Sequence, residues 1–183
     1  MANTKVITGK VRFSYVNIFE PMKNEDGTDG KYGITLLIPK SDTDTLNKIK
    51  SAMADAREVF CNKNGATALP QKPNHTLHDG DGLKDSGEPY SEECKGCYVM
   101  NVSSKVKPLM LDSFRNEIAD PNEIYSGCYG RASINFYGYN TAGKKGVSAG
   151  LLSIQKLSDG EPLGSARVTA ADDFGDDEDD WMS

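Results

Sequence analysis

The sequence predicts a mainly β domain of five strands, with one helix after the second strand, a long loop insertion and a separate acidic tail. Three observations carry this. Alternation of apolar and polar residues with period 2 recurs in several segments, the pattern of half-buried strands. A single stretch, 41–60, changes to a 3.6-residue spacing. Acidic charge gathers at one end, where seven of the 27 acids lie between Asp172 and Asp180. The other 20 acids face 21 bases over residues 1–171, so the body is near neutral and the tail strongly negative. This divides the chain into a domain over 1–166 and a disordered acidic tail over 167–183.

The first strand spans Lys5 to Glu20, with Val11, Phe13 and Tyr15 alternating against Lys10, Arg12 and Ser14. Asn24 to Gly30 is a polar connection, and the second strand, Lys31 to Pro39, puts Tyr32, Ile34, Leu36 and Ile38 on one face. Ser41 or Asp42 is placed to cap a helix whose apolar face carries Leu46, Ile49, Met53, Ala56 and Phe60. From Cys61 to Gly96 periodicity dissolves into a long loop. The third strand, Cys97 to Val106, turns Tyr98, Met100, Val102 and Val106 one way, and Asn101, Ser103, Lys105 and Lys107 the other. A connection through Pro121 and Asn122 leads to strands four and five, Gly127 to Tyr139 and Gly146 to Leu157.

A chain of 183 residues supports one domain with a real core, and 37% hydrophobic residues with 18 glycines suit a β-rich fold with long loops. No run of about 18 apolar residues is present to span a membrane, and Met1 to Lys5 lacks the apolar stretch of a secretion signal. The expectation is a cytoplasmic protein, whose Cys61, Cys94, Cys97 and Cys128 are reduced thiols or metal ligands. An enzyme is not expected. There is no phosphate-binding Gly-Lys motif and no nucleophile elbow, and Asp79, Asp81 and Asp85 lack the other ligands of a calcium loop. Cys94 or Cys128 beside a histidine has no supporting context as a nucleophile, and no cofactor is called for.

The fourth strand is the most informative. Ala132, Ile134 and Phe136 point to the core, leaving Arg131, Ser133, Asn135, Tyr137 and Tyr139 on the opposite face. Bases of a single-stranded nucleic acid stack on such rings at roughly 1–3 kcal/mol each, while cations track the phosphates. The same parity exposes Lys10, Arg12, Lys31, Lys105 and Lys107, and Lys144 and Lys145 occupy the last turn. If the sheet curls into a barrel, these residues line one groove. In the tail, Phe174, Asp176, Asp177, Glu178, Asp179, Asp180 and Trp181 join acids to aromatics outside any core, which suits docking on a basic, apolar partner site.

Val11 to Pro21 and Tyr32 to Lys40 resemble the opening of a tailed-phage family of single-stranded-DNA-binding proteins with the OB fold. Leu77 to Asp81, Tyr125 to Tyr129 and Lys145 to Leu151 carry the resemblance further, so that it covers residues 5–165. It implies a five-stranded OB-type barrel with the helix after strand two. It also implies sequence-independent binding of single-stranded DNA in replication or recombination, in the cytoplasm of a bacterial host. Through the tail it implies recruitment of a polymerase, helicase or primase. The chain departs from the pattern where Met182 and Ser183 follow the terminal aromatic. Oligomeric state stays open, including a homo-oligomer. The rival reading is a protein-interaction module without affinity for single strands, holding zinc through His75, His78, Cys94 and Cys97, two x2-spaced pairs separated by fifteen residues.

Overall fold

The computed structural model describes residues 3–84, 86–141 and 143–163. Its elements are β1 (Lys5–Ile7), β2 (Val11–Asn17), β3 (Tyr32–Pro39), α1 (Thr43–Asn64), β4 (Leu77–Asp79), a 3-10 turn (Glu92–Cys94), β5 (Cys97–Ser104), β6 (Leu109–Leu111), β7 (Tyr129–Thr141) and β8 (Lys144–Ser158). Five of the strands close a ring. β2 pairs antiparallel with β3, β3 with β5, β5 in parallel with β8, β8 antiparallel with β7, and β7 with β2. The short strands extend this barrel, β1 beside β7, β4 beside β5 and β6 beside β8.

Alternation explains the interior. Val11 and Phe13 of β2, Leu36 of β3, Met100 of β5 and Ile134 of β7 are all fully buried in one core. Each such side chain contributes about 1.5–3 kcal/mol by leaving water. One end of the barrel is covered by α1, which packs on β7 and β1. Asp42 caps this helix, its carboxylate accepting the Thr45 amide at 3.2 Å. Gly65 closes it at φ 111, a backbone conformation that disfavours a side chain, and donates its amide to Cys61 O.

Several expectations need correction. The first strand is two strands, broken at Thr8 to Lys10, where the Thr8 hydroxyl accepts the Ala132 amide at 3.0 Å and turns the chain. The helix runs on to Asn64 and buries Cys61, because Ala52, Ala56 and Cys61 continue its apolar stripe. The long loop contains β4, and the connection after β5 contains β6; both are three-residue strands, too short to show alternation. Val106 lies beyond β5 and is largely exposed rather than inward-facing. Most consequentially, Tyr15 is not on the core side. A bulge between Ser14 and Asn17 shifts the register, burying Ser14 and turning Tyr15 outward.

Candidate nucleic-acid interface

That bulge builds the site. Tyr15 adopts φ 46, in the left-handed region that a bulky residue occupies only under constraint. The Asn17 side-chain amide donates to Tyr15 O at 3.1 Å, and the Val16 amide donates to Ser126 Oγ at 3.4 Å. The ring is 63% exposed.

Tyr15 stands over an open cleft of about 770 Å³ on the outer face of β2, β3 and β5. The outward residues of β3 and β5 form its floor, among them Gly33, Thr35, Asn101 and Ser103. Thr35 Oγ1 donates to Asn101 Oδ1 at 2.6 Å. Asn17 and Met22 flank Tyr15, and His78 enters from β4. The opposite wall is the segment after β4, which brings Lys84, Ser86, Tyr90, Ser91 and Cys94 to the cleft. This wall rests on its own small apolar cluster, Leu37, Cys94 and Val99, with Tyr90, Cys97 and Leu163 against it. The Lys84 ammonium lies 5.7 Å from the centre of the Tyr90 ring.

A charged clamp fixes the base of the wall. Lys40 Nζ lies 2.7 Å from Asp79 Oδ1 and 2.6 Å from Asp81 Oδ2, and sits over the Tyr98 ring. Asp81 also accepts the Gly96 amide at 3.1 Å. Hydrogen bonds to the two carboxylates, Asp79 foremost, raise Lys40 above its ordinary range. The bond from Lys40 is likewise the largest cause holding Asp79 and Asp81 below theirs. Burial pushes the Cys94 and Cys97 thiols up, so both are neutral near pH 7. Among the described residues the cleft therefore presents rings, amides, hydroxyls, one histidine and one lysine, a lining fitted to base faces and edges more than to a dense run of phosphates.

None of the ten residues singled out on the strand faces lines this cleft. Lys10 and Arg12 lie over the Tyr129 ring at 5.2 and 5.4 Å, and Arg12 donates to Gly127 O and Glu161 O. Lys31 and Lys105 immediately flank the paired residues Tyr32 and Ser104, at the end of the cleft floor. Lys107 sits over Phe19. Arg131 Nε donates to Thr8 O at 3.1 Å. Tyr137 is 40% exposed on the outer face of β7, Tyr139 is half-buried, and exposed Lys144 and Lys145 form the tip of the β7–β8 hairpin. The tail residues Phe174, Asp176, Asp177, Glu178, Asp179, Asp180 and Trp181 lie outside the described residues, as does the boundary at 166. The four-ligand zinc arrangement is not assembled. The His75 and His78 rings are 6.4 Å apart, Cys94 belongs to the apolar cluster, and no group of three or more His, Cys, Asp or Glu among the described residues is arranged to hold a metal.

Tyr15, Met22 and Tyr90 were missed as site residues. A signal for Tyr15 exists in the sequence. Phe13 and Ile18 are large apolar residues that join the same core but lie five residues apart, an odd spacing that an uninterrupted strand would put on opposite faces.

A closed five-stranded ring with its helix after the second strand of the ring is similar to the fold of phage single-stranded-DNA-binding proteins. The chain belongs to the family described as Enterobacter phage Enc34, ssDNA-binding protein, whose model matches residues 4–182. It is 33% identical over 178 residues to putative protein p50 of Acyrthosiphon pisum secondary endosymbiont phage 1, covering 94% of this chain and 93% of that protein. Its fold superposes on the single-stranded DNA-binding protein from bacteriophage Enc34 in complex with ssDNA with a TM-score of 0.74, at 30% identity over 88% of this chain and 90% of the other. The fold alone is shared with gp2.5, a single-stranded DNA binding protein encoded by bacteriophage T7, with a TM-score of 0.59 at 14% identity over 92% and 99% of the two chains.

Proposed function

We propose that this protein binds single-stranded DNA without sequence preference, in the cleft of β2, β3 and β5, and has no enzymatic role. The observation that carries the reading is Tyr15, an exposed ring held in a strained backbone conformation at the edge of an open cleft. Family membership and the Enc34 protein's complex with ssDNA support it. Stacking supplies roughly 1–3 kcal/mol per base, and the lysines around the cleft supply a salt-dependent phosphate term. Lys31 and Lys105 extend the floor; Lys10, Arg12, Lys107, Arg131, Tyr137, Tyr139, Lys144 and Lys145 are proposed as outer contacts. The biological setting we infer is phage DNA replication or recombination in the host cytoplasm. There the acidic tail, ending near Trp181, docks on a polymerase, helicase or primase.

The test is fluorescence anisotropy of labelled oligo(dT) and a matched duplex, titrated at about 50 and 200 mM salt. The reading expects tight binding to the single strand, weak binding to the duplex and weakening with salt. Failure to bind either at low salt overturns it and leaves the interaction module, with the tail as its binding element.

A further inference from the structure

We infer that the bound single strand does not end at the cleft but continues over Gly150 onto the outer face of β7 and β1, where Tyr137 is a second stacking ring and Lys5 a phosphate contact. This rests on the reading above. The register gives one row across six strands: Asn17 pairs with Gly33, Gly33 with Ser103, Ser103 with Gly150, Gly150 with Asn135, and Asn135 with Lys5. Neighbours in a sheet are about 4.8 Å apart, so the row crosses roughly 24 Å of sheet. Its first three members line the cleft. The last three carry the same outward face past the point where β5 meets β8.

Gly150 marks the passage. In the same hairpin a Cβ on Gly130, Gly138 or Gly146 would collide, with first contacts at 2.2, 2.5 and 2.4 Å, so packing requires those glycines. On Gly150 a Cβ would make ordinary contacts, with Asn135 O and Tyr137 Cε1 at 3.4 Å and Tyr137 Cδ1 at 3.9 Å, and its φ is outside the left-handed region. Neither conformation nor packing explains a glycine in mid-strand, where it is a weaker choice than alanine. Close approach of a ligand does. The Tyr137 ring lies beside Gly150 and the residue remains 40% exposed, while the Ser133 hydroxyl, on the same strand, is buried without a hydrogen-bond partner among the described residues. At the end of the row Lys5 shares a depression with Lys48 of α1, two cations where a phosphate would arrive.

The experiment uses the full chain and oligo(dT) of about 4 and about 16 nucleotides, the range one such barrel covers. Gly150→Val narrows the passage, and valine suits a strand, so the melting temperature is expected to hold or rise. The expected result is wild-type affinity for the short oligomer and about tenfold weaker binding of the long one. Tyr137→Ala, which leaves the backbone untouched, is expected to show the same length-dependent loss, and Lys5→Gln a salt slope shallower by about one. If the wild type binds the long oligomer and both Gly150→Val and Tyr137→Ala bind it equally well, the extended path is wrong. If the wild type binds no single strand, the function proposed above fails with it.

Discussion

The side-chain amide of Asn17 reaches back 3.1 Å to the carbonyl of Tyr15, tying down a bulge whose effect is to place an aromatic ring outside the barrel instead of within it. The left-handed conformation of Tyr15 disfavours folding by an amount of order 1–3 kcal/mol. A residue so held is expected to trade stability for function.

Tyr15→Gly removes the ring and relieves the backbone together. Its expected outcome is an unchanged or slightly higher melting temperature with at least tenfold weaker binding of oligo(dT), read by thermal unfolding and anisotropy. Tyr15→Phe keeps the stacking surface and is expected to bind as the wild type does. Equal loss in both variants would mean that the hydroxyl, not the ring face, makes the contact.

The Lys40 clamp gives a pH dependence with a definite sign. Asp79 and Asp81 are held below the ordinary carboxylate value, chiefly by Lys40, so their contribution is present above about pH 4 and is lost as pH falls through the lower folded values. Lys40 is raised, so its share persists until pH climbs past about 10.5 toward its higher folded value. Lys40→Met is therefore expected to unfold at a lower temperature than wild type at pH 7, with the gap shrinking below about pH 3. A gap independent of acid would show that the ammonium over the Tyr98 ring, rather than its pairing with Asp79 and Asp81, is what matters.

Gly80→Ala tests the wall. A Cβ there would lie 2.1 Å from Cys94 O and 2.6 Å from Cys97 O, both backbone atoms that cannot swing aside. Overpacking of this kind is expected to destabilise by about 1–3 kcal/mol in denaturant unfolding, and to weaken DNA binding through displacement of the Tyr90 wall.

Leu163, the last described residue, packs against the apolar cluster under the wall and donates its amide to Ser126 O at 2.9 Å. The described chain thus ends at the apolar cluster beneath the cleft wall. Deleting residues 172–183 is expected to tighten binding of oligo(dT) at about 50 mM salt and to matter less at 200 mM, where screening weakens any competition. Unchanged affinity at both concentrations would exclude competition and leave partner docking as the tail's role.

Much of the fold was legible because the barrel strands are long enough to alternate. Ile34, Leu36 and Ile38, and likewise Ala132, Ile134 and Phe136, point inward as their parity requires. Asp42 and the stripe through Ile49 and Ala56 announced the helix. β4 and β6 escaped because three residues carry no period. Ring closure was expected from the family resemblance and not from periodicity, since the parallel pairing of Ser103 with Gly150 joins residues far apart in sequence. The site was legible only in part. Parity placed Asn101, Ser103 and Tyr137 on outer faces, but it assigned Tyr15 to the wrong side, because a bulge reverses parity without changing composition. The wall's Tyr90 follows a loop held by the Lys40 clamp and by a Leu83–Pro89 bridge, neither of which carries a period.

The most direct measurement is an amide NMR titration of the full chain with oligo(dT). The account predicts that the largest shifts fall on Tyr15, Asn17, Gly33, Asn101 and Ser103, the outward row of β2, β3 and β5. Shifts absent from these residues and concentrated instead around Arg12 and Tyr129 would contradict it, placing the strand beside the cleft, at the Arg12 end of β2, and not in it.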